Sequence, residues 1–393
     1  MAMKRIVLWG ALGAVALFLA GGVAWLLSLP PATASDGAPP IADEEKAATL
    51  ASLKPPKRQR PLIAIVGLND ATETTDYLMP YGILRRADVA DVVALATGAG
   101  PVTLYPALKV APDMTIADFD ARHADGADYV IVPAMSRDDD AAALQWIRSQ
   151  AAKGAIVIGV CAGAKVVAAA GLLENKRATT HWYYLDELRE ENPSIKYVAD
   201  RRMVVDGAVV TTTGITASMP MMLTLIEAIA GREKAEAVAS DLGLANWDAR
   251  HDSGAFQFTR PFALTAIGNT AAVWNWEQLG IEIAPGVDEV ALALVADAWS
   301  RTYRSKALTF AASAAPLQSR NGLRIIPDRI KTSWPAEDRV SSGDRRPAKA
   351  LDRTLQEISD RYGAPTADFV AMQLEYPKDG AGRPSTRLGS AQR

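Results

Sequence analysis

The chain has 393 residues, more than one ordinary domain needs, so we expect two globular units with appendages. Hydrophobic residues make up 49% and charged residues 22%, which excludes a chain that is disordered throughout. The net charge of −3 gives no overall basic field for nucleic acid. With one cysteine, Cys161, and three histidines, neither an internal disulfide framework nor a thiolate-rich zinc site is expected.

The N-terminal segment, residues 1–30, predicts a membrane anchor. Lys4 and Arg5 precede an uncharged run over residues 6–29, which as a helix would reach about 36 Å and span a hydrocarbon core of about 30 Å. A signal peptide cleaved after Ala34 is the alternative, although its apolar core is usually shorter, about 7–15 residues. Both interpretations predict that the rest lies in the periplasm or outside the cell, because Lys4 and Arg5 favour the cytoplasmic side.

Residues 31–60 are rich in proline and predict a tether, after which strands alternate with helices. Short apolar runs bounded by Gly or Pro indicate buried strands at residues 62–67, 91–96, 129–133 and 155–160. Helical patterns cover residues 76–87, 139–153 and 219–230, and a hairpin turns at Asp206-Gly207. This alternation predicts an α/β domain over residues 61–250, with a mostly parallel sheet covered by helices on both faces.

The most informative motif is Gly159-Val160-Cys161-Ala162-Gly163, where the last of these strands ends and a helix begins. The two glycines leave room for a sharp turn that lifts the middle side chain above the sheet, as in nucleophile elbows. A thiol at the start of a helix also lies near the positive end of the helix dipole, which favours the thiolate. An inert buried cysteine is the alternative for a lone cysteine in an apolar run. The elbow spacing favours the nucleophile.

The residues that follow the elbow resemble the ThiJ/PfpI superfamily, which has the class I glutamine-amidotransferase-like fold. The resemblance rests on an Ala-Gly-Leu-Leu block at residues 170–173 and an Ala-Thr-Thr-His-Trp block at residues 178–182. Isonitrile hydratases and the sensor domains of AraC-type regulators share both blocks. The resemblance covers residues 61 to about 250 and implies a flavodoxin-like three-layer αβα sandwich.

The resemblance also implies partners for the cysteine. An acidic residue at the start of the first helix faces the cysteine in this family, and counting back from Pro80 places Asp76 there. A carboxyl beside a thiol can donate a hydrogen bond to the thiolate or shuttle a proton, although Asp76 is also a favoured helix N-cap. His181 is expected near Cys161, where it could relay a proton or order a water; a structural histidine beside Trp182 is the alternative.

Three positions depart from the family pattern. Family proteases have histidine where this chain has Ala162, which argues against a peptidase, and isonitrile hydratases usually have threonine there. Many relatives have a Gly-Gly pair where this chain has Ala134 and Met135. We therefore expect the backbone of Ala162, Ala134 and Met135 to line a pocket with altered walls and to supply oxyanion donors.

The last third of the chain predicts a smaller α/β region. Residues 251–285 are expected to be a connector and residues 377–393 a disordered tail. Residues 316–328 resemble residues 101–113 in spacing, so residues 286–376 are predicted to be a degenerate half-copy of the first domain that never reaches a cysteine elbow.

Two classes of function stay open. One is a membrane-anchored enzyme in which Cys161 adds to a small electrophile, an isonitrile or a glyoxal, and water completes the turnover. Thiolate, acid and backbone amides would supply this chemistry, so no cofactor is expected. The other is a ligand or redox sensor without strong turnover. The expected partners are the membrane, through residues 6–29, and a small molecule; nucleic acid is not expected, and homo-oligomerisation stays open.

Overall fold

The computed structural model describes residues 2–31, 37–342 and 346–376. The α-helices are α1 (Ala2–Ser28), α2 (Asp43–Ser52), α3 (Thr74–Ala87), α4 (Ile116–Arg122), α5 (Ala141–Ala152), α6 (Gly163–Ala169), α7 (Leu185–Glu191), α8 (Ser218–Ala230), α9 (Arg232–Leu242), α10 (Arg260–Ala271), α11 (Glu289–Ser300), α12 (Pro347–Tyr362) and α13 (Ala364–Gln373). The longer strands are β1 (Leu62–Gly67), β3 (Asp91–Ala96), β4 (Val102–Tyr105), β5 (Lys109–Ala111), β7 (Tyr129–Val132), β8 (Ile156–Gly159), β11 (Met203–Asp206), β12 (Val209–Thr212), β13 (Glu277–Glu282) and β14 (Ser305–Ala311). The two-residue strands are β2 (Thr72–Glu73), β6 (Met114–Thr115), β9 (Arg177–Ala178), β10 (Lys196–Tyr197), β15 (Leu317–Gln318), β16 (Arg324–Ile325), β17 (Arg329–Ile330) and β18 (Arg339–Val340).

A seven-stranded sheet in the order β11-β12-β8-β7-β1-β3-β6 forms the centre of the first part. All neighbours pair in parallel except β11 and β12, which form the predicted antiparallel hairpin. Side chains of successive strand residues point to opposite faces. Accordingly, Ile63 and Ile65 of β1 pack in one core, and Leu62, Ala64 and Val66 pack in the other. The predicted α/β, flavodoxin-like layering is confirmed.

The predicted membrane anchor was wrong. Residues 6–29 largely fall in α1, but none of the helices in the described ranges is long and apolar enough to cross a membrane. The single-pass membrane placement, with residues 31–393 in the periplasm or outside the cell, depended on this anchor and was wrong as well. The membrane is likewise removed from the expected partners. The alternative cleavage site after Ala34 lies outside the described residues.

The prediction of an anchor rested on the length of the apolar run and on its lack of charged residues. Neither property shows which other residues the segment contacts. The end of α1 is bound to the folded body. Arg260 of α10 donates from Nε to the carbonyl of Leu26 at 3.0 Å and from Nη2 to the carbonyl of Leu27 at 2.8 Å. The rings of Trp25 and Phe258 lie 6.1 Å apart. Contacts between residues more than 200 positions apart are invisible to a hydropathy pattern.

The second sheet, in the order β17-β14-β13-β18, is parallel throughout and begins at Glu277, inside the predicted connector. Helix α11 packs on α3, and buried side chains of both helices belong to the same core as Ile63. Part of the predicted tether is the helix α2, and Leu53 directly after it is fully buried. The predicted disordered tail, residues 377–393, lies outside the described residues.

Candidate active site

Cys161 lies at the sharp turn between β8 and α6, as the elbow motif predicts. Its φ of +56° lies in the left-handed region, which a non-glycine residue adopts only at a cost in strain. A Cβ on Gly163 would lie 2.0 Å from the carbonyl oxygen of Val132, so this position admits only glycine. The N–H of Cys161 donates to Oγ1 of Thr212 at 3.1 Å, and its carbonyl accepts from Oγ1 of Thr180 at 3.0 Å. These bonds hold the turn in its strained form.

Asp76 lies in the first turn of α3 and is fully buried. Its Oδ2 accepts a hydrogen bond from the N–H of Ala134 at 3.1 Å, whereas its Oδ1 is buried and has no hydrogen-bond partner among the described residues. Burial raises the pKa of Asp76 well above its ordinary value, and the neighbouring Glu73 raises it further. The raised pKa favours the neutral form of this carboxyl, which suits Asp76 to act as an acid.

Glu73 is the second carboxyl of this acidic pair and was not among the site residues predicted from the sequence. As the N-cap of α3, it accepts the N–H of Asp76 on Oε2 at 2.5 Å. Its Oε1 accepts from Nη2 of Arg301 at 2.9 Å, and Nε of Arg301 donates to Oδ1 of the buried Asp297 at 2.6 Å. A capping carboxylate three residues before Asp76 and an Asp-Arg pair four apart on α11 were the available signals. Only the fold reveals that they meet.

The thiol of Cys161 is 4% exposed, and its environment opposes ionisation. Burial raises the pKa of the Cys161 thiol well above its ordinary value, and Asp76, Glu73 and Glu375 raise it further. A hydrogen bond from the N–H of Ala162 lowers this pKa by a smaller amount. The pKa of Cys161 is therefore raised, whereas its position at the start of a helix predicted a lowered pKa. Desolvation and the nearby carboxyls outweigh the single backbone donor.

His181 uses both ring nitrogens to bind the backbone. Its Nε2 lies 2.9 Å from the carbonyl oxygen of Gln373, and its Nδ1 accepts from the N–H of Tyr183 at 3.1 Å. A carbonyl can only accept, so Nε2 carries the proton and the ring is neutral. Burial lowers the pKa of His181 and stabilises that neutral form. The structure thus places His181 where the end of α13 meets the segment after the elbow.

The backbone at Ala134 and Met135 holds the acidic pair. Besides donating to Asp76, Ala134 accepts the N–H of Glu73 on its carbonyl at 2.8 Å, and Met135 forms an antiparallel bridge with Thr72. Of the three backbone positions expected at the pocket, Ala162 is the one whose N–H hydrogen-bonds the thiol.

Residues 372–375 cover this region from the C-terminal side. Both carboxylate oxygens of Glu375 accept main-chain N–H groups, Oε1 from Trp182 at 2.7 Å and Oε2 from Gly214 at 2.8 Å. A cavity of about 450 Å³ adjoins this cover and is lined by Thr180, Trp182, Tyr183, His251, Phe256 and Glu375, among others. A larger cavity of about 620 Å³ is lined by residues such as Arg85 and Arg320 and does not include the elbow. Neither lining includes Cys161 or Asp76, and the smaller cavity reaches the segment after the elbow through Thr180 and Trp182.

Similarity to known proteins falls on the same residues. A model of the DJ-1/PfpI family matches residues 63–228, which include Asp76, Cys161 and His181. The isonitrile hydratase of Pseudomonas putida is 35% identical over 172 residues, which cover 42% of this chain and 72% of that protein. Parkinson disease protein 7 homolog of Danio rerio is 28% identical over 185 residues, covering 46% of this chain and 95% of that protein.

A regulator is also among the similar proteins. The HTH-type transcriptional regulator CdhR of Pseudomonas aeruginosa is 32% identical over 124 residues, which cover 32% of this chain and 37% of that protein. With its α/β layers and its cysteine elbow, the chain belongs to the DJ-1/PfpI family, and the resemblance to ThiJ/PfpI proteins is confirmed. Within this family its similarity extends to both enzymes and regulators.

Proposed function

We propose that this protein is a cysteine-dependent hydratase that adds water to a small electrophile, with an isonitrile as the preferred class and a glyoxal as the second. The observation that carries the proposal is the position of Asp76, buried and with a raised pKa, in the electrostatic environment of Cys161 on its strained elbow. Similarity to an isonitrile hydratase supports the substrate class. Isonitrile hydratases usually have threonine at the position of Ala162, so we expect the pocket wall at this position to differ from theirs.

A neutral thiol and a neutral carboxylic acid suit addition to an uncharged electrophile. Sγ of Cys161 attacks the terminal carbon of the isonitrile and forms an S–C bond. The acid of Asp76 gives its proton to that carbon, and the other carboxyl oxygen takes the thiol proton. The product is a thioimidate, and Asp76 ends the step protonated as it began. No separated charge forms in the dry site.

Water completes the reaction. It adds across the C–N double bond of the thioimidate, with its oxygen on carbon and one proton on nitrogen. The C–S bond then breaks, the hydroxyl proton passes to sulfur, and an N-substituted formamide leaves. The thiol is restored, and the net change is the addition of one water. His181 has an orienting role here, through its contact with the segment after the elbow.

The proposal is tested by incubating the full chain with cyclohexyl isocyanide, and separately with methylglyoxal, and measuring the formamide or the hydroxy acid by mass spectrometry. We expect Cys161→Ser to abolish turnover and Asp76→Asn to slow it by about 100-fold or more, as expected for loss of an acid–base group. Asp113→Asn is the matched control, because this carboxyl also accepts one main-chain N–H, from Ala94. It should retain the parent rate.

Two results would contradict the hydratase. Turnover that survives Cys161→Ser would assign the reaction to other groups. Saturable binding of either compound to the parent without product would favour the alternative, a ligand sensor built on the same fold. Similarity to an HTH-type regulator is the observation behind that alternative.

A further inference from the structure

The C-terminal part of the chain repeats the first part at a constant separation. Strands β1 and β13 begin at Leu62 and Glu277, and helices α3 and α11 begin at Thr74 and Glu289, so both pairs are 215 residues apart. Each unit then continues with a parallel strand, β3 or β14, beside the first. The order of elements is therefore the same in both units.

Finer details follow the same separation. Leu95 of β3 pairs with Met114 of β6, and Phe310 of β14 pairs with Arg329 of β17, each 215 residues further along. An aspartate ties each pair of strands together in the same manner. Oδ2 of Asp113 accepts the N–H of Ala94 at 2.8 Å, and Oδ2 of Asp328 accepts the N–H of Thr309 at 2.9 Å.

The two units face each other across an approximate two-fold axis. Strands β5 and β16 pair antiparallel with Val110 opposite Ile325, and these two residues are themselves 215 apart. Equivalent residues face each other in this way when two copies meet in an isologous contact. In the sheet order β15-β16-β5-β4, the hairpin β15-β16 of the second unit and the hairpin β4-β5 of the first unit meet through this pair of inner strands.

Reciprocal ion pairs join the two helices at this contact. Arg301, at the end of α11, binds Glu73, the N-cap of α3, at 2.9 Å. Arg86, near the end of α3, binds Asp288, the N-cap of α11. The two arginines are 215 residues apart, as are the two capping residues. Each unit therefore supplies a cation to the other's first helix.

The close packing of the helices leaves no room for a larger residue at their crossing. A Cβ on Gly82 of α3 would lie 2.5 Å from Cγ2 of Val290 in α11. Helix α11 of the same chain thus occupies the face of α3 that carries Gly82.

The thiol and the acid of the candidate site lie at only one end of the contact between α3 and α11. The position equivalent to Asp76 is Ala291, which has no acid. Glu73 bonds the N–H of Asp76, so the ion pair of Arg301 adjoins the thiol site. The ion pair of Arg86 lies near Ala291, the position that lacks the acid. The two arginines therefore occupy equivalent positions in the two units, but only Arg301 lies near the thiol site.

We propose that the second unit is a built-in partner subunit and that Arg301 is the positioning residue it supplies to the Cys161 site through Glu73. This deepens the proposed function and rests on it. Arg301 neutralises the carboxylate that holds the first turn of α3, and its positive charge lies near enough to Cys161 to interact with the ionised sulfur. It therefore opposes the effect of Glu73, which raises the pKa of Cys161, and it holds the first turn of α3, with Asp76, in place beside the thiol.

The test measures the rate of iodoacetamide labelling of Cys161 against pH in the full chain. Arg301→Gln leaves the charge of Glu73 unopposed, so we expect its labelling midpoint to rise by on the order of one pH unit. Glu73→Gln removes a carboxyl that raises the pKa of Cys161, so its midpoint should fall. Arg301→Lys keeps the charge and should restore most of the parent profile.

Arg86→Gln and Asp288→Asn are the matched controls, because they break the equivalent ion pair at the other end of the same contact. Both should keep the parent midpoint. Equal shifts in Arg301→Gln and Arg86→Gln, or shifts of the same sign in Arg301→Gln and Glu73→Gln, would overturn the proposal and leave a structural role. Labelling does not require turnover, so a failure of the hydratase assay with this labelling pattern intact would reject the proposed reaction and keep the role of Arg301.

Discussion

The main-chain N–H of Trp182 donates a 2.7 Å hydrogen bond to Oε1 of Glu375, and this bond fastens the end of the described chain to the segment that follows the elbow. Glu375 is 2% exposed and lies 193 residues further along the chain than Trp182. Its other carboxylate oxygen binds the N–H of Gly214 and lies 3.4 Å from Nε2 of His251. One buried side chain therefore joins three separate segments around the site.

Replacing Glu375 by Ala should lower the free energy of unfolding by about 2–4 kcal/mol, because buried N–H groups lose charge-assisted bonds. Urea unfolding followed by tryptophan fluorescence measures the change. Glu190→Ala, at an exposed position of α7, is the control and should alter stability by no more than about 0.5 kcal/mol. Similar small losses in both variants would contradict the proposed fastening.

The raised pKa of Asp76 predicts a pH dependence of stability. Burial and then Glu73 raise this pKa in the folded protein, so above the ordinary value of about 3.9 the folded state binds more protons than the unfolded state. The contribution of Asp76 is fully present below that pH and is lost as pH rises towards the folded pKa. Asp76→Asn removes this dependence.

Relative to the parent, Asp76→Asn should become more stable as pH rises, by at most about 1.4 kcal/mol per pH unit. Urea unfolding of both proteins at pH 5, 6 and 7 gives the difference directly. A difference in stability that stays constant over this range would show that Asp76 is ionised in the folded protein and would remove its role as an acid.

Gly163→Ala should prevent folding or cost several kcal/mol, because the new Cβ would lie 2.0 Å from the carbonyl oxygen of Val132. Gly268→Ala in α10 is the matched control, since a Cβ there meets nothing within 4 Å. In a helix interior this control should be neutral or stabilise by up to about 1 kcal/mol. Soluble yield and thermal unfolding compare the two, and a stable Gly163→Ala protein would mean that the elbow relaxes without cost.

Ending the chain at residue 255 should cause aggregation, because the face of α3 that packs on α11 would be exposed to water. Light scattering of the purified fragment against the full chain measures this. A fragment that is monomeric and as stable as the full chain would show that the second unit contributes nothing to the core of the first.

Features that depend on nearby residues were accessible from the sequence. Apolar runs predicted four strands of the central sheet to within about one residue at each end, for instance Leu62–Gly67 and Asp91–Ala96. The glycines flanking Cys161 predicted the elbow, because a sharp turn needs particular residues at fixed spacing. The position of Asp76 followed from the family resemblance. In the fold Asp76 lies near enough to the thiol to raise the pKa of Cys161.

Tertiary structure alone decided the features that sum over distant parts of the chain. The direction of the Cys161 pKa depends on burial and on carboxyls up to 214 positions away in sequence, which a helix-start argument cannot include. The segment predicted as an anchor has its end bound by Arg260, and the site receives Arg301 and Glu375 from the last third of the chain. Spacing along a sequence encodes local geometry, whereas desolvation and charge depend on which distant residues the fold brings together.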